Sequence, residues 1–186
     1  MTLHEEMVAC VGSRGTIFPL PRSVAHRRRI HHLVVRVLAT NRQGLLLVQR
    51  RSATRETYQE HYTDSASGHV SFSLSLLHDL DGELRRQAER ELYEETGLRV
   101  VQRHIQPFGE PTSSDDAFET SYTFVAEVAG QLKASAEVDA TRTRFVTPEE
   151  LRRMLREEPF VPEARMLWGK LLDRIGSKSA FQVFFL

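Results

Sequence analysis

The sequence predicts an α/β fold built on a central mixed sheet with helices packed against it. Three observations point there. Runs of β-branched and apolar residues at 30–39, 45–49, 99–105, 121–128 and 144–146 are interspersed with helical patterns. The clearest of those patterns places Leu84, Ala88 and Leu92 at i, i+4 and i+8 and is stopped by Gly97. With 186 residues the chain suffices for one domain with a sizeable core and is too short for two ordinary ones.

Residues 1–24 show no periodicity and hold Pro19 and Pro21, which predicts an irregular N-terminal arm. The runs 30–39 and 45–49 flank the turn signal Asn41-Arg42-Gln43-Gly44, so they predict a β-hairpin. Residues 50–62 are polar without a stripe and predict a loop, followed by a short strand over 65–70 that ends near Gly68. A helix is predicted over 82–96, then strands over 99–105, 121–128 and 144–146, the second with Tyr122 and Phe124 alternating with polar neighbours. Thr147-Pro148-Glu149-Glu150 supplies an N-cap, a proline at the first helical position and a glutamate three after the cap. A last helix runs over 162–175 and is closed by Gly176. The tail 181–186 is strongly apolar and, if exposed, would be an association patch through which a homodimer could form. The expected organisation is an arm (1–24), one domain (25–176) and the tail (177–186).

Composition narrows the function classes. Apolar residues make up 40% and charged residues 27%, which excludes wholesale disorder and a membrane bundle. Basic and acidic residues number 25 each, so there is no global field of the kind a nucleic-acid binder uses, and neither nucleic acid nor membrane is an expected partner. Cys10 is the single cysteine, which rules out an intrachain disulfide and any cysteine cage for a metal. With Glu5 and Glu6 where a signal peptide needs an apolar run, a cytoplasmic location is expected.

The chemistry concentrates in Arg90-Glu91-Leu92-Tyr93-Glu94-Glu95-Thr96-Gly97-Leu98. At about 100° per residue, Glu91, Glu94 and Glu95 converge on one sector of a helix beside the Leu84–Ala88–Leu92 stripe. Like charges at i, i+4 cost a helix roughly 0.2 to 0.5 kcal/mol each, and the C-terminal end of the dipole disfavours them further. A hard divalent cation compensates: Mg²⁺, or Mn²⁺ in its place, takes oxygen ligands and leaves positions open for phosphates. The alternative is a solvated charged helix in which Arg90 pairs with Glu94.

This order of residues resembles the second half of the Nudix box, glycine-x5-glutamate-x7-Arg-Glu-aliphatic-x-Glu-Glu-x-Gly-aliphatic, and matches it completely from Arg90 to Leu98. The first half departs from it. The box glutamate falls on Gly82, with Glu83 one place late, and between Gly68 and Gly82 lie eight more residues than the box allows, within 71–81. The resemblance implies an α/β/α sandwich and Mg²⁺-dependent hydrolysis of a diphosphate linkage in a small-molecule substrate, nucleotide-like or otherwise. It implies Glu91, Glu94 and Glu95 as metal ligands, Arg90 orienting Glu94, and a proton acceptor such as Glu95 or Glu119.

A narrower resemblance, over about 25–166, is to the branch of Nudix proteins that looks like isopentenyl-diphosphate isomerase. It is carried by His26-Arg27, His32, Leu46-Leu47-Val48-Gln49-Arg50-Arg51-Ser52, Asp64-Ser65-Ala66-Ser67-Gly68-His69 and Phe160-Val161-Pro162. Ser67 stands where the isomerases carry a catalytic cysteine, and Glu163 where they carry a tryptophan. His32, His69 and Glu119 match three of the isomerase's metal ligands, while Ala117 replaces a carboxylate. A hydroxyl is far less acidic than a thiol, so these departures favour a hydrolase on the isomerase-like frame. Arg51 and Arg55 match the diphosphate clamp of that branch, and with His69 they are the expected substrate-binding residues. The alternatives are an isomerase using an unusual acid, or a binding module that has lost turnover. The loops 71–81 and 107–118 are where head-group selectivity is expected.

Overall fold

The computed structural model describes residues 5–55, 57–133, 135–136, 138–176 and 178–186, so the first four residues of the expected arm lie outside it. In chain order these form β1 (Met7–Val11), β2 (Ile17–Pro21), α1 (Arg22–Arg27), β3 (His32–Thr40), β4 (Leu46–Arg50), β5 (Tyr62–Thr63), β6 (Ala66–His69), α2 (Leu80–Thr96), β7 (Arg99–Pro107), β8 (Thr112–Ser114), β9 (Glu119–Ala129), β10 (Arg144–Val146), α3 (Pro148–Glu157), α4 (Pro162–Ile175) and α5 (Ala180–Phe184).

β3 is the hub of the sheet. It pairs parallel with β9 from His32↔Glu119 to Thr40↔Glu127, and antiparallel with β6, with β4 at Thr40↔Leu46 and with β1 at Cys10↔His32. Its residues are buried almost throughout, as a strand covered on both faces requires. One face packs against α2, where Leu84, Ala88 and Leu92 meet Val35, Val37 and Phe124. The other face packs against α3, α4 and α5, with Trp168 fully buried among Leu38, Val48 and Val125. The result is the expected α/β/α sandwich around a mixed sheet.

Helix boundaries follow local chemistry. Asp79 caps α2 by accepting from the Gly82 backbone N–H at 3.0 Å, and Gly97 ends the helix at φ 70°, the left-handed conformation that glycine adopts without strain. Gly82 leaves room for the Asp79 carboxylate, since a Cβ there would lie 2.0 Å from Asp79 Oδ2 and oblige that side chain to shift. The Thr147 hydroxyl caps α3 by accepting from the Glu150 N–H at 3.1 Å.

Two regions differ from the sequence expectation. The described part of the arm is ordered: β1 and β2 form a hairpin against β3, and α1 follows. Pro19 and Pro21 are tolerated because β2 is the edge strand, where a missing N–H removes no interior ladder bond. The apolar tail is not left as a free patch: α5 folds back, and Val183, Phe184 and Phe185 pack on the α4 side of the core. Among the apolar residues 181–186 it is Leu186, at the end, that is exposed.

Candidate active site

A cleft of about 590 Å³ opens at the end of the sheet, between the C-terminal half of α2, β6, α1 and the loops after β4 and β8. It collects the sequence-predicted residues from distant parts of the chain: Arg51, Arg55, His69, Arg90, Glu91, Glu94, Glu95 and Glu119 all line it. Residues from 71–81 do not line it, whereas Ser114, Asp116 and Ala117 from 107–118 do. The insertion instead ties β1 to α2: Phe72 N–H donates to Met7 O at 2.8 Å, and Leu76 is buried in the core.

The three glutamates of α2 sit in unequal surroundings. Glu91 and Glu95 turn toward β6 and the cleft interior, while Glu94 is 59% exposed at the rim. Glu95 Oε2 accepts from Gln49 Nε2 at 2.8 Å and from the Ser67 backbone N–H at 3.4 Å. Burial pushes its carboxyl up to about 8 against those bonds, with help from the negative charges of Asp64 and Glu91. Burial also raises Glu91, opposed by Arg90. Arg90 spans the group: Nη2 donates to Glu91 Oε1 at 2.8 Å and to Ser71 Oγ at 3.2 Å, and Nε lies 3.8 Å from Glu94 Oε1. Its tighter partner is therefore Glu91, not Glu94 alone. Ser71 Oγ in turn donates to Glu6 Oε1 at 3.1 Å, which brings the N-terminal arm to the cleft wall.

Close approach fixes the facing strand. A Cβ at Gly68 would lie 2.2 Å from Glu91 Oε2, so only glycine lets β6 run this near the carboxylate. The donor set of carboxylate oxygens, that of Glu95 raised first by burial and then by the neighbouring Asp64 and Glu91 charges, fits a hard divalent cation.

A second cluster stands beside it. The metal-ligating atoms of His26 on α1, His32 on β3 and His69 on β6 lie within 4.8 Å of one another. His26 Nε2 and His69 Nε2 are 3.2 Å apart, and the ring of His32 is oriented by a contact of Nδ1 with Ile30 O at 3.0 Å. The buried His32 Nε2 has no hydrogen-bond partner among the described residues. Burial pulls His69 down to about 3, helped by the positive charge of Arg22, so near neutrality His69 meets a ligand as a neutral imidazole rather than as a cation.

The inner end of the cleft holds a network that sequence reading missed. Arg36 of β3 donates through Nη1 to Asp64 Oδ2 at 3.0 Å, through Nη2 to Glu119 Oε2 at 3.5 Å and through Nε to Ser121 Oγ at 3.3 Å. Asp64 is fully buried and also accepts from the Thr63 hydroxyl at 2.8 Å. Trp168 Nε1 donates to Thr63 O at 3.0 Å, so the α4 side of the core anchors the segment that presents Asp64. At the outer end, Arg51 is held by Thr57, donating to its carbonyl at 3.1 Å, and Arg22, Arg55 and Tyr58 complete the rim. Arg22 and Arg36 carry no sequence motif, Gln49 lies in the run 46–52 but was given no role there, and only the pairing of β3 with β6 and β9 brings Arg36 to the site.

Comparison with known proteins identifies the family and the fold. The NUDIX domain family matches residues 30–165. An uncharacterized Nudix hydrolase of Listeria innocua is 31% identical over 136 residues, covering 70% of this chain and 72% of its own length. A crystal structure from Deinococcus radiodurans superposes with a TM-score of 0.65 at 20% identity, over 89% of this chain and 98% of that one. The NUDIX domain of Shewanella oneidensis NrtR, solved in complex with ADP ribose, gives a TM-score of 0.54 at 15% identity, over 76% of this chain and 86% of that one. At these identities the two structures speak to the fold.

Proposed function

The chain belongs to the Nudix family of hydrolases, and from that premise we propose that it cleaves the diphosphate linkage of a small-molecule substrate with the help of Mg²⁺, Mn²⁺ being able to replace it. The observation that carries this reading is the division of one cleft into a carboxylate wall, Glu91, Glu94 and Glu95, and an arginine rim, Arg22, Arg51 and Arg55. A diphosphate needs both: guanidinium forks to hold its outer oxygens, and a cation, held by carboxylates, between it and the enzyme.

In this reading Glu91, Glu94 and Glu95 hold the metal, which supplies charge neutralisation at phosphorus and acidifies water. Arg90 positions Glu91 and Glu94. Arg51 and Arg55 bind the diphosphate, and His69 offers a neutral ring N–H or lone pair beside them. Glu95 or Glu119 accepts the proton as water adds to phosphorus and the P–O bridge breaks, giving two phosphorylated products, or phosphate and a monophosphate. The ADP ribose held by the Shewanella domain is itself a diphosphate, which supports this ligand class.

Within the family, His26, His32 and His69 beside Glu119 support the branch that resembles isopentenyl-diphosphate isomerase, and they would hold a second divalent ion. The test is Mg²⁺-dependent phosphate release from a panel of nucleotide sugars, nucleoside triphosphates, dinucleoside polyphosphates and prenyl diphosphates. Release from at least one class that is abolished by chelation is expected. No release from any class, together with metal-dependent binding, would favour a binding module.

A further inference from the structure

Gln49 interrupts the apolar run of β4. Leu46 and Val48 pack on the α4 side of the sheet and Leu47 on the α2 side, so the period of two puts Gln49 on the α2 face with Leu47. It is 4% exposed. An amide buried this deeply is costly unless it is hydrogen-bonded, and the acceptor that Gln49 Nε2 meets is Glu95 Oε2, at 2.8 Å. The Ser67 backbone N–H of β6 donates to the same oxygen at 3.4 Å. Neutral donors from β4 and β6 therefore converge on one oxygen of Glu95. The other, Oε1, accepts no hydrogen bond from the described residues, and the side chain lines the cleft.

The other carboxylates of α2 are held differently. Arg90 Nη2 donates to Glu91 Oε1 at 2.8 Å and Arg90 Nε lies 3.8 Å from Glu94 Oε1, so those two share one guanidinium charge. Glu95 is bonded instead by an uncharged amide. An ammonium or guanidinium at position 49 would also fix the carboxylate, but it would cancel the charge and repel a divalent ion beside it. An apolar side chain there would leave Oε2 to the Ser67 N–H alone. A neutral donor orients the carboxylate and leaves its charge to the ion, which is what the outer partner of a metal ligand does.

Resting on the metal-dependent hydrolase reading, we propose that Gln49 is a positioning residue for the divalent ion: its amide fixes Oε2 of Glu95 without neutralising it, which leaves Oε1 as the ligand atom.

The test measures Mn²⁺ bound to the substrate-free protein from the loss of the free-ion electron paramagnetic resonance signal. The site followed is the one from which Mg²⁺ displaces Mn²⁺ and which Glu95→Gln weakens. The wild type is compared with Gln49→Met, close in volume but without a donor, and with Gln49→Lys, which donates but carries a charge. Urea unfolding without metal checks that each variant is folded. Both should bind Mn²⁺ about tenfold or more weakly than the wild type while remaining folded. In the wild type, the side-chain amide resonance of Gln49 should shift as Mg²⁺ is added.

Binding by Gln49→Met within about threefold of the wild type would reduce the amide to packing and overturns the proposal. Wild-type binding by Gln49→Lys overturns it too, because a charged donor would then serve as well as a neutral one. If neither variant folds, the amide resonance decides, and a signal unmoved by saturating Mg²⁺ overturns the proposal. Mn²⁺ binding unaltered in Glu95→Gln removes Glu95 from the metal site and overturns the role of Gln49 with it. Weakened binding in both Gln49 variants, with no diphosphate cleaved by the wild type, supports the role of Gln49 and overturns the hydrolase reading alone.

Discussion

Gly68 and Glu91 are in such close contact that a Cβ at position 68 would stand 2.2 Å from Glu91 Oε2 and 2.3 Å from its carboxyl carbon. The strand β6 therefore makes room for the carboxylate by lacking a side chain at position 68, and Arg90 Nη2 holds it there at 2.8 Å. Gly68→Ala should push Glu91 off its position and away from the contact with Arg90 Nη2. Turnover should fall by about tenfold or more, since displacement of a metal ligand by a fraction of an ångström misplaces the reacting groups. Because Glu91 is the end of a side chain that can rotate, urea unfolding should show a smaller effect than activity does. Full activity in Gly68→Ala would show that Glu91 need not sit where the structure puts it.

Glu95 sets a pH dependence whose sign is fixed. Its folded carboxyl titrates at about 8 against a reference value of 4.5, so between those limits the folded state keeps a proton that the unfolded chain has lost. Its contribution to the stability of the metal-free protein is therefore complete below pH 4.5 and is lost as pH rises toward 8. Each pH unit within the window removes at most about 1.4 kcal/mol. Other groups titrate too, so the measurement is the difference between wild type and Glu95→Gln in urea at pH 5 and pH 8 without metal. The glutamine variant should gain on the wild type as pH rises, and excess Mg²⁺ should close the gap. A difference that does not change with pH would contradict the assignment.

With Mg²⁺ and a substrate the parent hydrolyses, Glu94→Gln and Glu95→Gln should each lower kcat by about a hundredfold or more while leaving the unfolding midpoint near that of the wild type. The motive is their placement on the carboxylate wall, one at the rim and one inside. Near-full activity in both variants would remove α2 from the chemistry.

How much of this was legible in the sequence depends on how local each signal is. α2 and its three carboxylates were legible because i, i+3 and i+4 neighbours share a face by helix geometry alone, and Gly97 marked its end, whereas the Asp79 cap was not read. The strands over 121–128 and 144–146 were legible for the same reason, with period two in place of 3.6. Arg36 was not, because its role arises from β3 pairing in parallel with β9, which brings Glu119 and Ser121 from more than eighty residues away. The hairpin of β1 and β2 was hidden by Pro19 and Pro21, which break an interior strand but sit without penalty at an edge. Whether the tail is exposed was not legible, because apolar composition does not say which apolar surface will cover it.

The tail gives a stability prediction. Phe185 stacks on the His104 ring at 5.2 Å, Gln106 Nε2 donates to Phe184 O at 2.7 Å, and the Arg174 guanidinium lies 4.8 Å from the Phe184 ring. His104 also pairs with the buried Glu127, so the same ring joins α5 to β9. Deleting 180–186 should cost about 2 to 5 kcal/mol in urea unfolding, comparable to removing a large core side chain. Sedimentation of the full chain and the deletion compares this with the dimer expectation. A deletion that leaves stability unchanged but converts a dimer to a monomer would mean that the tail serves a partner rather than its own core.

The chain should not convert isopentenyl diphosphate to dimethylallyl diphosphate. Isomerisation requires a proton to be delivered to one carbon and removed from another, with a stabiliser for the cationic stage between. Ser67 offers a hydroxyl in place of a thiol, and Glu163 replaces the aromatic ring that the isomerases use. Arg36, the register partner of Ser67 across β3 and β6, adds a charged group where an isoprenoid chain would have to lie. Deuterium incorporation from heavy water into isopentenyl diphosphate detects even reversible protonation at carbon, and none above the uncatalysed rate is expected. Ser67→Cys alone should not create it, because the thiol would restore the acid while Arg36 and Glu163 still oppose binding of the hydrocarbon. Incorporation by the wild type would overturn the hydrolase reading of this end of the cleft, and incorporation only in Ser67→Cys would place the whole block to isomerisation in that one hydroxyl.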